Sequence, residues 1–236
     1  MKRTPEPELM DGAEQARAYA QADLSEPNEL FLRLLADEVL KVRDSALPQG
    51  LADARALDLG CGPADIVVRL LKRYPQLQCD ALDGSQAMLD LARQAIDRLP
   101  GIASRVRLLC DKLPSAQLDT GAYDLILSNS LLHHLHEPQV LWRSIRAAAK
   151  PGALVLVMDL MRPGSAGMAE ALVETYAADA PPVLRQDFRN SLHAAFEPAE
   201  VEEQLRSAGL AEALEVDVVS DRHLAVWGKV GRKFEV

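Results

Sequence analysis

No stretch of this chain approaches the roughly 20 consecutive apolar residues of a membrane-spanning helix. The opening MKRTPEPELMDG carries basic residues with no apolar segment behind them. These absences predict a soluble, cytoplasmic protein with no membrane partner. Cysteine is scarce as well. Cys61, Cys79 and Cys110 lack C-x-x-C spacing and any histidine at ligand distance, which argues against a disulfide framework or a structural zinc site. Each falls in or beside a predicted core strand, so reduced, buried thiols are expected. Basic charge is also in deficit, with 26 Lys and Arg against 35 Asp and Glu and a net charge of −9. Broad phosphate-backbone binding needs the opposite balance, so nucleic acid is disfavoured as a substrate. There is no internal repeat and no low-complexity segment.

What is present is one α/β pattern in 236 residues, enough for a single domain with an elaboration. Residues 54–65 read ARALDLGCGPAD: a short apolar run closes on Asp58 and enters a turn containing Gly60 and Gly62. Such a turn lets the backbone approach a ligand closely, and Pro63 suits the first turn of a following helix. A dinucleotide-binding G-x-G-x-x-G would need glycine at position 65, where Asp65 stands. Strands are then predicted at 54–59, 76–83, 105–110, 123–128 and 153–160, with helices at 63–73, 85–99 and 138–149 between them. Pro100-Gly101 stops the second of these helices, and Lys150-Pro151-Gly152 ends the third. This alternation implies a doubly wound, mostly parallel seven-stranded sheet with helices on both faces and an antiparallel last strand. Ligands of such sheets lie beyond the carboxyl ends of the strands.

Two further blocks flank the pattern. Residues 1–50 are expected to form a helical cap ahead of the main domain at 51–236, with one weak helix at 14–22 and an amphipathic one over 28–42. Residues 162–196 read as two helical pieces around Ala180-Pro181-Pro182, a helical lid inserted over the carboxyl edge. A helix from Pro198 to Gly209 and a hairpin across Ser220-Asp221-Arg222-His223 close the chain.

Several motifs resemble those of the class I S-adenosylmethionine (AdoMet) methyltransferases of small-molecule type. Asp58, Gly60 and Gly62 match that family's acid-x-G-x-G-x-G motif, with Ala64 at the place of the last glycine. Asp83 stands 23 positions after Gly60 at the end of the second strand, where a carboxylate can hold ribose hydroxyls. Gly84, Ser85 and Met88 follow it into the next helix as further cofactor-binding candidates. The resemblance implies an adenine contact for Asp111 and the Lys112 backbone, and a cofactor contact for Asn129 at the end of strand four. The sequence YDLILSNSLLHHLHEP resembles the family's segment in which a histidine pair follows strand four, making His133 and His134 the catalytic candidates. Either could act as a general base or as a wall of the cofactor pocket. His133, His134 and His136 are not expected to hold a metal, because adjacent side chains diverge and no carboxylate is suitably spaced.

Asp159, near the end of strand five, and Arg162, just after it, emerge at the carboxyl edge, and Arg162 could clamp a carboxylate or phosphate of the substrate. If the last strand is antiparallel, the turn before it reaches the same edge. Tyr19, Tyr176, Arg185, Arg189, Asn190, His193, Arg222 and His223 then become candidates for the substrate wall. The implied activity is methyl transfer from AdoMet to a small-molecule acceptor. The alternatives are a carboxy-AdoMet synthase-like enzyme, which needs a cation such as Arg162, Arg189 or Arg222, and a non-catalytic AdoMet-binding partner subunit.

Overall fold

The structure is a computed structural model that describes residues 1–10, 12–40 and 51–230. Its centre is a sheet of seven strands: β1 (Arg55–Leu59), β2 (Gln78–Asp83), β3 (Val106–Cys110), β4 (Tyr123–Asn129), β5 (Ala149–Leu160), β6 (Leu214–Val218) and β7 (His223–Lys229). The spatial order is β3-β2-β1-β4-β5-β7-β6, parallel except for β7, which pairs antiparallel with both neighbours. The predicted doubly wound sheet is therefore the one observed. The order reverses between β1 and β4, which opens a crevice at their carboxyl ends.

Strands β1, β4 and β5 are buried almost throughout because helices cover both faces, and each reads as an apolar run rather than an alternation. On one face α2 (Ser25–Leu34), α3 (Asp65–Arg73) and α4 (Gln86–Asp97) bury Phe31, Leu32, Leu70 and Leu89 against Ala56, Leu125 and Leu154. On the other, α6 (Gln139–Ala148) and α9 (Pro198–Ala208) bury Trp142, Ile145, Val201 and Leu205 against Leu57, Ile126 and Val155. Trp142 also donates its indole N–H to Gln204 Oε1 at 2.9 Å, so the largest buried side chain leaves no polar atom unpaired. A third apolar cluster joins Leu160 at the end of β5 to Val173 of α7 (Ala166–Tyr176) and Leu192 of α8 (Pro182–Ala194).

Several boundaries differ from expectation. The helix expected over 28–42 starts earlier, at Ser25, and widens into a π-helical turn over Leu35–Val39; Val42 lies outside the described residues. α4 ends at Asp97, ahead of Pro100-Gly101 as expected, but Pro100 then occupies the first turn of a short α5 (Pro100–Ala103), where its missing N–H costs nothing. Lys150-Pro151-Gly152 is the extended start of β5 rather than a turn ahead of it. There the pairing with β4 shifts register between Tyr123 and Leu125, and Gly152 adopts φ 89°. Cys61 and Cys79 are buried, whereas Cys110 is exposed, because β3 is the edge strand and presents its last residue to solvent.

Before α1 (Ala13–Gln21), residues 1–10 run as an extended strap across the carboxyl edge. Thr4 N–H donates to His193 O at 2.9 Å, and the Arg3 guanidinium donates to the carbonyls of Ala194, His133 and Leu135. Arg3 also lies over the Phe196 ring, 3.9 Å from its centre. Among the described residues no helix is long and apolar enough to cross a membrane.

Candidate active site

A cavity of about 790 Å³ opens where the strand order reverses and continues beneath α1, α7 and α8. Its lower part is lined by Gly60 and Gly62 after β1, Asp83, Gly84, Ser85 and Met88 after β2, Asp111 and Lys112 after β3, and Asn129 after β4. Each was a cofactor candidate from sequence. The structure brings them together because parallel strands deliver their carboxyl ends to one edge.

Gly60 sits at φ 76°, and a Cβ there would lie 2.9 Å from Leu131 Cβ, so a side chain is excluded by both backbone and space. Asp83 clamps the turn: its two carboxylate oxygens accept the N–H groups of Gly62 and Ser85, each at 2.8 Å. The Ser85 hydroxyl caps α4 by accepting from Met88 N and donates to the strap at Met10 O, 2.9 Å away. Asp111 accepts from the Ser115 hydroxyl at 2.7 Å and the Lys112 N–H at 2.9 Å, and these bonds hold its carboxyl below the usual range. Asn129 Oδ1 is buried without a hydrogen-bond partner on the cavity wall, a free acceptor facing a place for a ligand.

Asp58 lies below this floor and does not line the cavity. Burial, with the Asp83 charge second, pushes its carboxyl up to about 7, and its Oδ1 has no partner.

The histidine pair forms the side wall. Asp159, buried at the end of β5, accepts the Leu132 N–H at 2.6 Å and so caps the short 3₁₀ turn Leu132–His134. The same carboxylate meets His133 Nδ1 at 2.5 Å, which turns Nε2 toward Glu6 of the strap, 3.4 Å away. Burial opposes charge on His133, but the charge and hydrogen bond of Asp159, joined by Glu6, prevail and its pKa is raised. His134 is driven the other way, to about 3, by burial and then by His133. Its Nδ1 stands 3.3 Å from Glu6 Oε1. Burial also raises Glu6, against the opposing pull of His133 and Ser191.

The upper part of the cavity is lined by Tyr19, Leu160, Tyr176, Leu184, Asp187 and Phe188, with Arg222 and His223 at its mouth. The Tyr19 phenol is pushed up to about 12, chiefly by burial. Arg222 is buried, stacks its guanidinium 3.4 Å from the centre of the Tyr176 ring, and pairs with Glu26 and Asp221. The turn carrying Arg222 and His223 reaches this edge as the antiparallel β7 requires. Burial and the neighbouring Arg222 depress His223 to about 4.

Other expected substrate residues are not on the wall. The Arg162 side chain turns away from the cavity to Glu197 and Glu200, both at 2.9 Å, and to Ala195 O. It ties β5 to the start of α9, where two carboxylates outcompete an open crevice. On α8 the residues at 184, 187, 188 and 191 face inward, a helical i, i+3, i+4, i+7 set. That phase turns Arg185, Arg189, Asn190 and His193 outward. Arg189 pairs with Glu170 at 2.6 Å, Arg185 pairs with Glu174, and Asn190 accepts from Gln186. Sequence reading missed Asp187 and the strap residues Glu8, Leu9 and Met10, which also line the cavity. The apolar spacing of Leu184, Phe188 and Leu192 was the available signal for α8. The strap has no local signal, because its position depends on long-range bonds.

Comparison with known proteins agrees with this geometry. The family described as "Methyltransferase domain" matches residues 57–155. Over those residues the chain carries a methyltransferase domain, and the fold is the Rossmann-like one of the class I enzymes. Malonyl-[acyl-carrier protein] O-methyltransferase of Halalkalibacterium halodurans is 29% identical over 128 residues, covering 52% of this chain and 46% of that protein. Trans-aconitate 2-methyltransferase of Methylobacterium nodulans is 36% identical over 108 residues, covering 45% and 39%. The matches thus span under half the length of these relatives. In fold, the chain resembles a SAM dependent methyltransferase from Aquifex aeolicus, with a TM-score of 0.62, 19% identity, and coverage of 92% of this chain and 98% of that one. The crevice fits S-adenosylmethionine on its own geometry: a glycine turn with open space at Gly62, an acid-clamped turn and the orphaned acceptor of Asn129 converge on it.

Proposed function

We propose that this protein transfers a methyl group from AdoMet to a small-molecule acceptor and releases S-adenosylhomocysteine. The observation that carries the reading is the continuity of one cavity. It joins the cofactor candidates at the strand ends to an apolar chamber under α7 and α8. A chamber roofed by helices suits a small acceptor rather than a polymer, and a net charge of −9 agrees. The same reading makes this a cytoplasmic enzyme.

Bound AdoMet supplies an electrophilic methyl group whose sulfur leaves as a neutral thioether, so no leaving-group proton is needed. The chain's own work is then orientation and exclusion of water. Gly60 and Gly62 leave room for close approach, Asp83 takes ribose hydroxyls, and Gly84, Ser85 and Met88 border that position. Asp111 and Lys112 flank the adenine position, while Asn129 accepts a hydrogen bond from the amino-acid end. Asp58 holds the floor from beneath. His133 and His134 serve as wall, positioned by Asp159 and the strap. Tyr19, Tyr176 and Arg222 border the acceptor. The cap at 1–50 and the lid at 162–196 close over both ligands. With Arg162 and Arg189 turned away and Arg222 already paired twice, none of the three candidate cations is left over for an extra carboxylate. The carboxy-AdoMet alternative gains nothing from this arrangement.

The test is calorimetric titration with S-adenosylhomocysteine, followed by a screen of metabolite extracts with isotopically labelled methyl donor. Tight binding and one labelled product heavier by a methyl group are expected. Tight binding without any product across the screen would favour a partner subunit, and absence of binding would overturn the reading altogether.

A further inference from the structure

We propose that Glu6, His133 and His134 bind one divalent cation of the zinc type, clasping the strap to the wall of the cavity. This reverses the expectation that the adjacent histidines diverge without a carboxylate to complete a site. The carboxylate comes from 127 residues upstream of His133 in sequence, and the fold delivers it.

His133 Nε2 and His134 Nδ1 both face Glu6 Oε1, at 3.4 and 3.3 Å. Zinc bonds of about 2.0–2.1 Å in a tetrahedron separate the ligand atoms by about 3.3–3.4 Å, so two of three edges already have the right length. The third, between the imidazoles, lies within the 4.8 Å that bounds the whole set. The donor set, two imidazoles and one carboxylate, suits a first-row transition cation. The surroundings match as well. Asp159 meets the far nitrogen of His133 at 2.5 Å, fixing the tautomer that offers Nε2, and Ser191 donates to Glu6 Oε1 at 3.0 Å. Asp187 Oδ2, buried and without a hydrogen-bond partner, adds negative charge that acts on Glu6. Arg3, whose charge opposes a charge on His133, spends its hydrogen bonds on backbone carbonyls. The ligand side chains are only 10%, 3% and 14% exposed, so water screens this excess of carboxylate poorly.

The test uses full-length, tag-free protein stripped with a chelator. Zn²⁺ is titrated against a chromophoric chelator, and Co²⁺ is added separately to read the visible absorption of tetrahedral coordination. One Zn²⁺ per chain, an intense Co²⁺ band and slower hydrogen exchange over residues 2–10 on Zn²⁺ addition are expected. Glu6→Gln and His134→Gln should each weaken Zn²⁺ by at least roughly 10–100-fold, while His136→Gln leaves it unchanged. Thermal melts of the variants without metal confirm that each is folded. No stoichiometric binding, or equal affinity in both ligand variants, would overturn the site. The S-adenosylhomocysteine titration does not enter this result, so failure of the metal site and failure of the methyltransferase reading are told apart.

Discussion

The two halves of the cavity are built by different rules. The cofactor half consists of strand ends, and each of its residues is placed by a strand whose register is fixed by the sheet. The acceptor half consists of α1, α7, α8 and the strap, whose positions depend on side-chain packing and on bonds such as Thr4 to His193. One half is held by the backbone and the other by contacts that can open. That division suits an enzyme whose donor is constant and whose acceptor must be admitted and enclosed.

The comparison breaks most sharply if the glycine turn tolerates a side chain. Gly60→Val asks a β-branched residue to adopt φ 76° and pushes atoms into Leu131. The expected loss of S-adenosylhomocysteine affinity is on the order of 1000-fold, about 4 kcal/mol. Near-normal calorimetric affinity in a folded variant would make the turn a mere connection.

The next largest effect concerns Asp58, beneath the floor. Its folded pKa of about 7 stands above the ordinary carboxylate value, so the folded protein holds that proton more tightly than the unfolded chain. The stability contribution is therefore full below about pH 4 and is lost as pH rises toward 7, by about 2–4 kcal/mol. Asp58→Asn should remove that slope. Melting temperatures of both proteins between pH 4 and 8 measure it, and parallel curves would refute it.

Much of the cofactor half was legible in sequence because its signals are local. Gly60, Asp83 and Ser85 each announce a turn or cap within a few residues, and apolar runs gave the strands their order of appearance. The acceptor half was legible only as a block. Arg162 and Arg189 were singled out because a charged group near the edge invites a ligand, yet each has a nearer acid to satisfy. The inward phase of α8 was written in Leu184, Phe188 and Leu192, whose spacing outweighs the polarity of their neighbours. Glu6 and Leu9 had no signal at all, since a strap far from its contacts in sequence is positioned only by the finished fold.

Asp83 tests whether the cofactor half is also held by side chains. Asp83→Ala removes an acceptor for the ribose and, with it, the clamp on the Gly62 and Ser85 N–H groups. Affinity for S-adenosylhomocysteine should fall by about 1.5–3 kcal/mol, roughly tenfold to hundredfold. An unchanged isotherm would leave the turn supported by backbone alone.

The smallest effects belong to the acceptor half, where Arg222 and Arg189 make a matched pair. Both were expected on the substrate wall, and both are ion-paired. Arg222 is buried at the cavity mouth and stacked on Tyr176, whereas Arg189 faces solvent from the outer side of α8. Replacing Arg222 by Met removes the cation stacked on Tyr176, leaves Glu26 without this ion pair and leaves Asp221 with the Tyr176 hydroxyl. The acceptor KM should rise several-fold while S-adenosylhomocysteine affinity holds, because the cofactor half does not depend on this turn. Arg189→Met loses an exposed pair that solvent already screens, so KM and cofactor affinity should both stay within about twofold. Steady-state kinetics with the acceptor found by the labelling screen decide the matter. Equal effects from the two substitutions would mean that the wall is defined by the charge of the lid as a whole rather than by which side of a helix a residue occupies.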